Sequence, residues 1–546
     1  MNYTGTAGDD TLTGTSGNDV FNMGQGGNDT VNGGDGNDIF RFSGTFASGD
    51  SVDGGTGVDQ LQLDGDYSAE QNINSTQLSN VEIITVAAGH SYNLIFFDGV
   101  IADGQSLTVK GQALSASDIL TVDGGYLSAL SSNTTLVVYG GAGDTYFTGG
   151  PGKNLFYGGA GYDTVYFGND FGSDDRLDGG AGSNALQILG DYSAGLTFSA
   201  AMLKNFQYMS VEPGYDYKLT MNDANVAAGQ TLTVYASNLG ATDSLIFNAS
   251  HETDGSYYFY DGAGNDVLVG GAQADHLSGA NGGIDKLYGN GGDDRFQMGA
   301  NMTAADRIDG GAGNDEVDLS GDYSPGLMFK TGTMINVEDL FLAQSYSYKL
   351  TMSDDNVAAG KTLIITGGLL SQTDTMIVNA SAETDGHYFF GGGAGDDIII
   401  GGQHGDTFYG GYGLDKMTAG NGNDTFVYDD AAESTGVTRD VVTGYNALHD
   451  KFDLPSGHSV SAIDTAVTTG TLSTGHFDAN LAVAIDAAHL AAGDAVLFTP
   501  DAGTLAGHTF LVIDMNGTAG YQAGEDLVIQ LESATHLASL ARTDFI

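Results

Sequence analysis

The residues able to do chemistry in this chain are aspartates that recur at one place in a nine-residue pattern, Gly-Gly-x-Gly-x-Asp-x-apolar-x. The pattern reads cleanly in Gly33-Gly34-Asp35-Gly36-Asn37-Asp38-Ile39-Phe40-Arg41 and in Gly310-Gly311-Ala312-Gly313-Asn314-Asp315-Glu316-Val317-Asp318. Near-copies place the acid at Asp10, Asp19, Asp29 and Asp38, at Asp266, Asp275, Asp285 and Asp294, and at Asp397, Asp406, Asp415 and Asp424. Isolated turns add Asp59 and Asp315, and a degenerate block adds Asp163. A carboxylate is a hard oxygen ligand, and a glycine-rich turn leaves its carbonyl oxygens unshielded. Calcium takes about six to eight such oxygens in loose geometry. Glycine also permits the φ > 0 of a tight turn, and the residues after the aspartate can form a short strand with one inward apolar side chain. The pattern therefore predicts a parallel β-roll built around several Ca2+ ions. Binding would offset repulsion between stacked carboxylates and couple the metal to folding.

The elements that must position these acids alternate along the chain. Nonapeptide blocks occupy 1–62, 140–187, 261–318 and 392–427, and longer segments fill 63–139, 188–260 and 319–391. Each long segment opens on Gly-Asp-Tyr-Ser, at Gly65, Gly190 and Gly321, and carries a Val-Glu step, at Val81-Glu82, Val211-Glu212 and Val337-Glu338. Short alternating apolar runs bounded by Gly, Asn and Asp argue for strands in wider coils. Spacers before the isolated turns end alike, in Asp50-Ser-Val-Asp53, Asp175-Arg-Leu-Asp178 and Asp306-Arg-Ile-Asp309. The expected fold is all-β, a right-handed parallel β-helix/β-roll solenoid, followed over 428–546 by a non-repetitive C-terminal domain, β-rich or α+β. There 481–492 has helical composition, and Ala495-Val-Leu-Phe-Thr499 and Phe510-Leu-Val-Ile513 read as strands.

Composition narrows the function. With 70 acidic against 16 basic residues the formal charge is −54, a self-repulsion that favours bound cations and disfavours nucleic acid or anionic membrane as partners. The chain has no cysteine, so it has neither disulfides nor thiolate sites. The start, Met1-Asn2-Tyr3-Thr4-Gly5, shows no basic region leading into an apolar stretch, and no apolar run is long enough for a transmembrane segment.

These blocks resemble the RTX (repeats-in-toxin) calcium-binding family exported by type I secretion. The resemblance implies that each ion is shared between a turn and the turn two repeats on, which pairs Asp10 with Asp29, Asp19 with Asp38, Asp266 with Asp285, Asp275 with Asp294, Asp397 with Asp415 and Asp406 with Asp424. The block at 140–187 departs from the pattern: Thr145, Asn154 and Asn184 stand at carboxylate positions and only Asp163 remains, so weak or absent calcium is expected there. The closing Arg542-Thr543-Asp544-Phe545-Ile546 resembles the end of type I export signals. A further run, with Asp514, Asn516 and Asp526, resembles a calcium loop but lacks strict EF-hand spacing, and an ordinary acidic turn is the alternative.

Catalytic constellations are missing from the sequence. His251-Glu252 has no second histidine at the spacing of a zinc protease, and no Gly-x-Ser-x-Gly occurs. The pair Asp354-Asp355 could do acid/base work of the lyase or epimerase kind, yet it answers to Asn222-Asp223 in a sibling segment. Within RTX proteins the chain is most similar to the surface-layer proteins of alphaproteobacteria, of the Caulobacter type. That likeness implies a secreted, extracellular, non-enzymatic calcium-binding protein at the cell surface. It would be a homo-oligomer polymerising as a sheet or filament, with the type I secretion machinery and a cell-surface polysaccharide as partners. A carbohydrate-active enzyme or an adhesin on the same scaffold is the alternative.

Overall fold

The structure is a computed structural model, and it describes residues 1–127 and 133–546. They form two compact units, 1–275 and 276–546.

In the first unit, alternate nonapeptide strands pair with one another and not with their neighbours in sequence. Asn2–Thr4, Val20–Asn22, Ile39–Phe42 and Gln60–Leu63 run parallel in one sheet, while Thr11–Thr13, Thr30–Asn32 and Ser51–Asp53 form another. The three-residue strand explains this. Its central side chain points inward, and the glycine turn then reverses the chain to the opposite sheet, so a full coil takes two repeats. Phe21, Phe40 and Leu61 from one sheet and Val31 and Val52 from the other are buried in the narrow core. The rings of Tyr3, Phe21 and Phe40 stack at 4.7 and 5.1 Å. Side-chain-free turns are required at the reversals: Gly57 has φ +144, and a methyl there would lie 1.7 Å from the Gly36 carbonyl oxygen one coil below.

The same parallel sheets continue into the wide coils. The first sheet reaches Leu203–Lys204 as a ten-stranded array, and parallel strands from Tyr67–Ile73 through Ser256–Tyr260 line a second face. The Gly-Asp-Tyr-Ser openings manage the change of coil width. Asp66 and Asp191 accept from the N–H of Ser68 and Ser193, turning the chain, while the hydroxyls of Tyr67 and Tyr192 accept from Phe46 and Phe171 N–H in the preceding spacer. Tyr323 makes the same bond to Met302 in the second unit.

The second unit repeats the pattern, with parallel strands Tyr323–Met328, Tyr348–Thr351, Met376–Asn379, Ile398–Ile400 and Lys416–Thr418. Parallel pairing runs on past residue 428: Val441–Thr443 adds to Lys416–Thr418, and Lys451–Asp453 to Thr425–Val427. Leu527–Glu532 then joins Val441–Thr443 in parallel, and Thr509–Ile513 and Ala495–Phe498 extend the sheet antiparallel. This mixed β region buries its own core of Phe477, Leu481, Ile485, Phe498, Phe510 and Val512. The helix is Phe477–Ala484, earlier than composition suggests. Its second half is diverted at Ile485, whose carbonyl accepts from Tyr521 N–H. The observed fold is the expected all-β parallel solenoid with a mixed C-terminal domain. Among the described residues no helix is long and apolar enough to cross a membrane.

Candidate metal centres

Each repeat places its aspartate at the mouth of a short strand, where the parallel coil fixes the distance to the matching residue two repeats away. The result is a ladder. Asp10 N–H donates to Asp29 Oδ1 at 2.9 Å, Asp19 to Asp38 at 2.8 Å, Asp29 to Asp50 at 2.8 Å and Asp38 to Asp59 at 2.7 Å. In the second unit Asp397 donates to Asp415 and Asp406 to Asp424, both at 2.8 Å. Asp266 and Asp275, at the end of the first unit, accept from Leu245 and Tyr257 N–H, whereas Asp285 and Asp294, in the second, donate to Asp306 and Asp315. All the nonapeptide aspartates are buried except Asp10, which is half-buried.

With one oxygen committed to the ladder, the second has no partner in several turns. Oδ2 of Asp38, Asp59, Asp315, Asp397 and Asp415 is buried without a hydrogen bond. Those of Asp38, Asp59, Asp315 and Asp397 converge with a backbone carbonyl on the first glycine of their own repeat. A methyl on Gly54 would sit 1.8 Å from Asn80 O and 2.7 Å from Asp59 Oδ2, and one on Gly310 would sit 1.9 Å from Asn336 O and 2.5 Å from Asp315 Oδ2. Oxygen therefore faces oxygen with no proton between them, an arrangement that is costly when dry and suited to a hard cation.

The degenerate block supplies the internal control. Asn184 occupies the place of Asp59, and its Nδ2 donates to Asn205 O at 2.8 Å; Asn154 Nδ2 likewise donates to Gly150 O at 2.8 Å and to Asp175 Oδ1 at 3.0 Å. There an amide N–H does what a cation would do between acceptors. Asp163 keeps its Oδ2 unpartnered, so one carboxylate stands among amides. At the opposite extreme, Asp10 and Asp19 are satisfied within their own turns by the N–H and hydroxyl of Thr6 and Thr15, which replace the second glycine of the repeat.

Burial raises the pKa of many ladder carboxyls. Desolvation pushes Asp59, Asp163, Asp275, Asp315 and Asp406 up to about 6. It pushes Asp397 and Asp424 up to about 8, with the neighbouring carboxylates of Asp415 and Asp450 adding to the effect. Asp415 and Asp440 are both raised for the same reason.

The ladder also includes members that the nonapeptide pattern does not reveal. Asp50, Asp175 and Asp306, from the spacer ends, each take a rung and close their own turn with the other oxygen. Asp440 and Asp450 carry the ladder beyond residue 427. Glu82 and Glu338 terminate it, accepting from Asp59 and Asp315 N–H. The Val-Glu step at Val211-Glu212 is not their counterpart: Gln207 is, accepting from Asn184 N–H at 2.8 Å. Phe206-Gln207 follows the left-handed Asn205 as Val81-Glu82 follows Asn80, so the amide block is neutral at its end as well. The shared spacer ends are the signal for Asp50, Asp175 and Asp306, whereas the shift in the middle segment hides Gln207. In the C-terminal loop, Asp514 accepts from Asn516, Gly517 and Gly493 N–H and Asp526 from Met515 and Gln522, while Asn516 is exposed and donates to Glu525. Both carboxylates are thus held in place by backbone N–H groups.

The amide comparison yields a direct test. Asp59→Asn combined with Asp315→Asn is expected to lower the calcium bound per chain in equilibrium dialysis. It should also raise the fraction of β-sheet circular dichroism that survives chelation. A variant that binds as much calcium as the parent would contradict the assignment.

Residues 4–40, 139–173, 258–283, 280–300 and 302–323 match the family described as RTX calcium-binding nonapeptide repeat (4 copies). Residues 387–485 match the family described as Peptidase M10 serralysin C terminal. A comparison with curated proteins finds no match. The chain thus carries RTX calcium-binding repeats and a serralysin-type C-terminal region, a combination typical of proteins secreted by the type I route.

Proposed function

We propose that this chain is a secreted, calcium-stabilised structural protein that folds outside the cell and self-assembles there into a surface layer or filament, without enzymatic activity. The observation that supports this reading best is that the chemistry is distributed. The same acceptor-facing-acceptor sites recur at Asp59 and Asp315 in different units, and none is unique. Asp354 and Asp355, the pair best placed for acid/base work, serve separate turns: Asp354 accepts from Thr384, and Asp355 from Gly332 and Ser353. The surface depression lined by Tyr162, Gln187, Tyr208 and Tyr235 has an aromatic wall but no carboxylate. At a formal charge of −54, copies of the chain repel one another unless cations offset the charge, which makes calcium a natural control of assembly. A head-to-tail contact between such copies would propagate and not close.

Negative-stain electron microscopy of the purified chain tests this. Ordered sheets or filaments are expected in millimolar calcium and are expected to dissolve on chelation. Discrete monomers in both conditions would overturn the reading.

A further inference from the structure

Outside the nonapeptide turns, the wide coils hold two further carboxylate groups. Asp223, Glu252 and Asp254 each bring a carboxylate oxygen within 4.8 Å of the other two, and so do Asp354, Glu383 and Asp385. The two sets occupy matching sequences, Met221-Asn-Asp223-Ala-Asn225 with Glu252-Thr-Asp254-Gly255, and Met352-Ser-Asp354-Asp-Asn356 with Glu383-Thr-Asp385-Gly386. Each set lies wholly within one unit.

The local structure holds the glutamate in one orientation. Glu252 Oε1 accepts from Thr253, Asp254 and Gly255 N–H at 3.2, 3.3 and 3.0 Å, and Glu383 Oε1 from Thr384, Asp385 and Gly386 at 3.1, 3.1 and 2.8 Å. Both glutamates are buried, at 1% and 0% exposure, and Oε2 of each has no hydrogen-bond partner. Asp223 reaches across from the preceding coil to accept from Thr253 N–H and hydroxyl, and Asp354 does the same at Thr384. The outer aspartates are exposed, so each group is open to solvent at its rim and closed at its base.

A buried tyrosine accompanies each group. The hydroxyls of Tyr257 and Tyr388 are buried and also make no hydrogen bond. After burial, the largest influence on Tyr257 is the Glu252 charge, followed by Asp275 and Asp223; for Tyr388 it is Glu383, followed by Asp406 and Asp354. A phenol oxygen and a carboxylate oxygen, both dry and both without a partner, thus sit in one acidic environment, twice. Three carboxylates make an all-oxygen donor set, which selects a hard divalent cation over a softer metal.

We infer that Asp223, Glu252 and Asp254 bind one calcium ion and that Asp354, Glu383 and Asp385 bind another, each ion tying one wide coil to the next independently of the nonapeptide turns. The first long segment has no acidic residue between Asp123 and Asp144, so it lacks the counterpart. Two ions per chain belong to this class.

The test counts ions on the full chain, whether or not it assembles, so its failure is distinct from failure of the assembly reading. Calcium stoichiometry at saturation is measured by equilibrium dialysis for the parent, for Glu252→Gln with Glu383→Gln, and for Asp254→Asn with Asp385→Asn. Glutamine keeps the Oε1 acceptor that the turn needs, and the asparagine changes lie on the exposed rim, where folding is not at risk. Each double variant is expected to hold two fewer ions than the parent, with circular dichroism in calcium unchanged. Parental stoichiometry in the folded asparagine variant would overturn the inference.

Discussion

Chelating calcium at pH 8 is expected to unfold most of the nonapeptide ladder, and lowering the pH to 5 in the same chelator is expected to restore much of it. The cause is the direction of the carboxyl shifts. Folded pKa values of about 6 for Asp59, Asp315 and Asp406, and of about 8 for Asp397 and Asp424, lie above the ordinary 3.8. Without metal, the fold therefore prefers the protonated acids. Their contribution is fully present below about pH 4 and is lost as pH rises through about 6 and then about 8. Each pKa unit corresponds to about 1.4 kcal/mol, so a few groups in the Asp397–Asp424 block suffice to exhaust the roughly 5–15 kcal/mol of a typical domain. Calcium reverses the dependence, because it binds the deprotonated carboxylates and displaces protons. Its affinity should rise over the same interval. Denaturation midpoints by circular dichroism, with and without chelator from pH 5 to pH 8, check both arms. A metal-free midpoint that rises with pH would refute the account.

The second large effect is expected in the block that least resembles a metal site. Asn154→Asp with Asn184→Asp should convert 140–187, where weak or absent calcium binding is expected, into a calcium-requiring roll. The parent amides bridge Gly150 O to Asp175 and reach Asn205 O. Carboxylates in their place would set oxygen against oxygen and leave buried charge uncompensated, at a cost of roughly 3–5 kcal/mol each. Hydrogen exchange of the strands Lys153–Tyr157 and Ala185–Ile188 is the measurement. In chelator, the parent amides should stay protected while those of the variant exchange, and calcium should restore protection to the variant. Equal protection of both in chelator would show that the amides are not what stabilises this block.

The Asp-to-amide replacement has a wider consequence. A chain whose every turn required calcium would have no structure in a calcium-poor compartment and would gain all of it at once outside. The amide block is expected to hold one stretch of the first unit in register with less need of metal, a place from which neighbouring coils can propagate, as expected of quasi-one-dimensional folds.

Much of this protein is legible in its sequence because its repeat is local. Nine residues suffice to specify a turn, a three-residue strand and one inward side chain, and repetition then dictates parallel pairing of alternate strands. The identities of Asp38, Asp59, Asp315 and Asp397 as ladder residues, and the loss of carboxylates at Thr145, Asn154 and Asn184, can be read without coordinates. Tertiary structure decided whatever depends on which coil lies above which. That Asp50 and Glu82 share a ladder with Asp29 and Asp59, that Gln207 and not Glu212 closes the middle one, and that Asp440 and Asp450 extend the last one follow from coil widths that vary outside the nonapeptide. The nonapeptide pattern itself does not encode those widths. The same holds for Asp223 and Glu252: they lie far apart in sequence, and only stacking of wide coils brings their oxygens together. Local geometry is carried by short-range sterics, which sequence displays, whereas convergence of ligands is set by the closure of each coil, which only the folded chain defines.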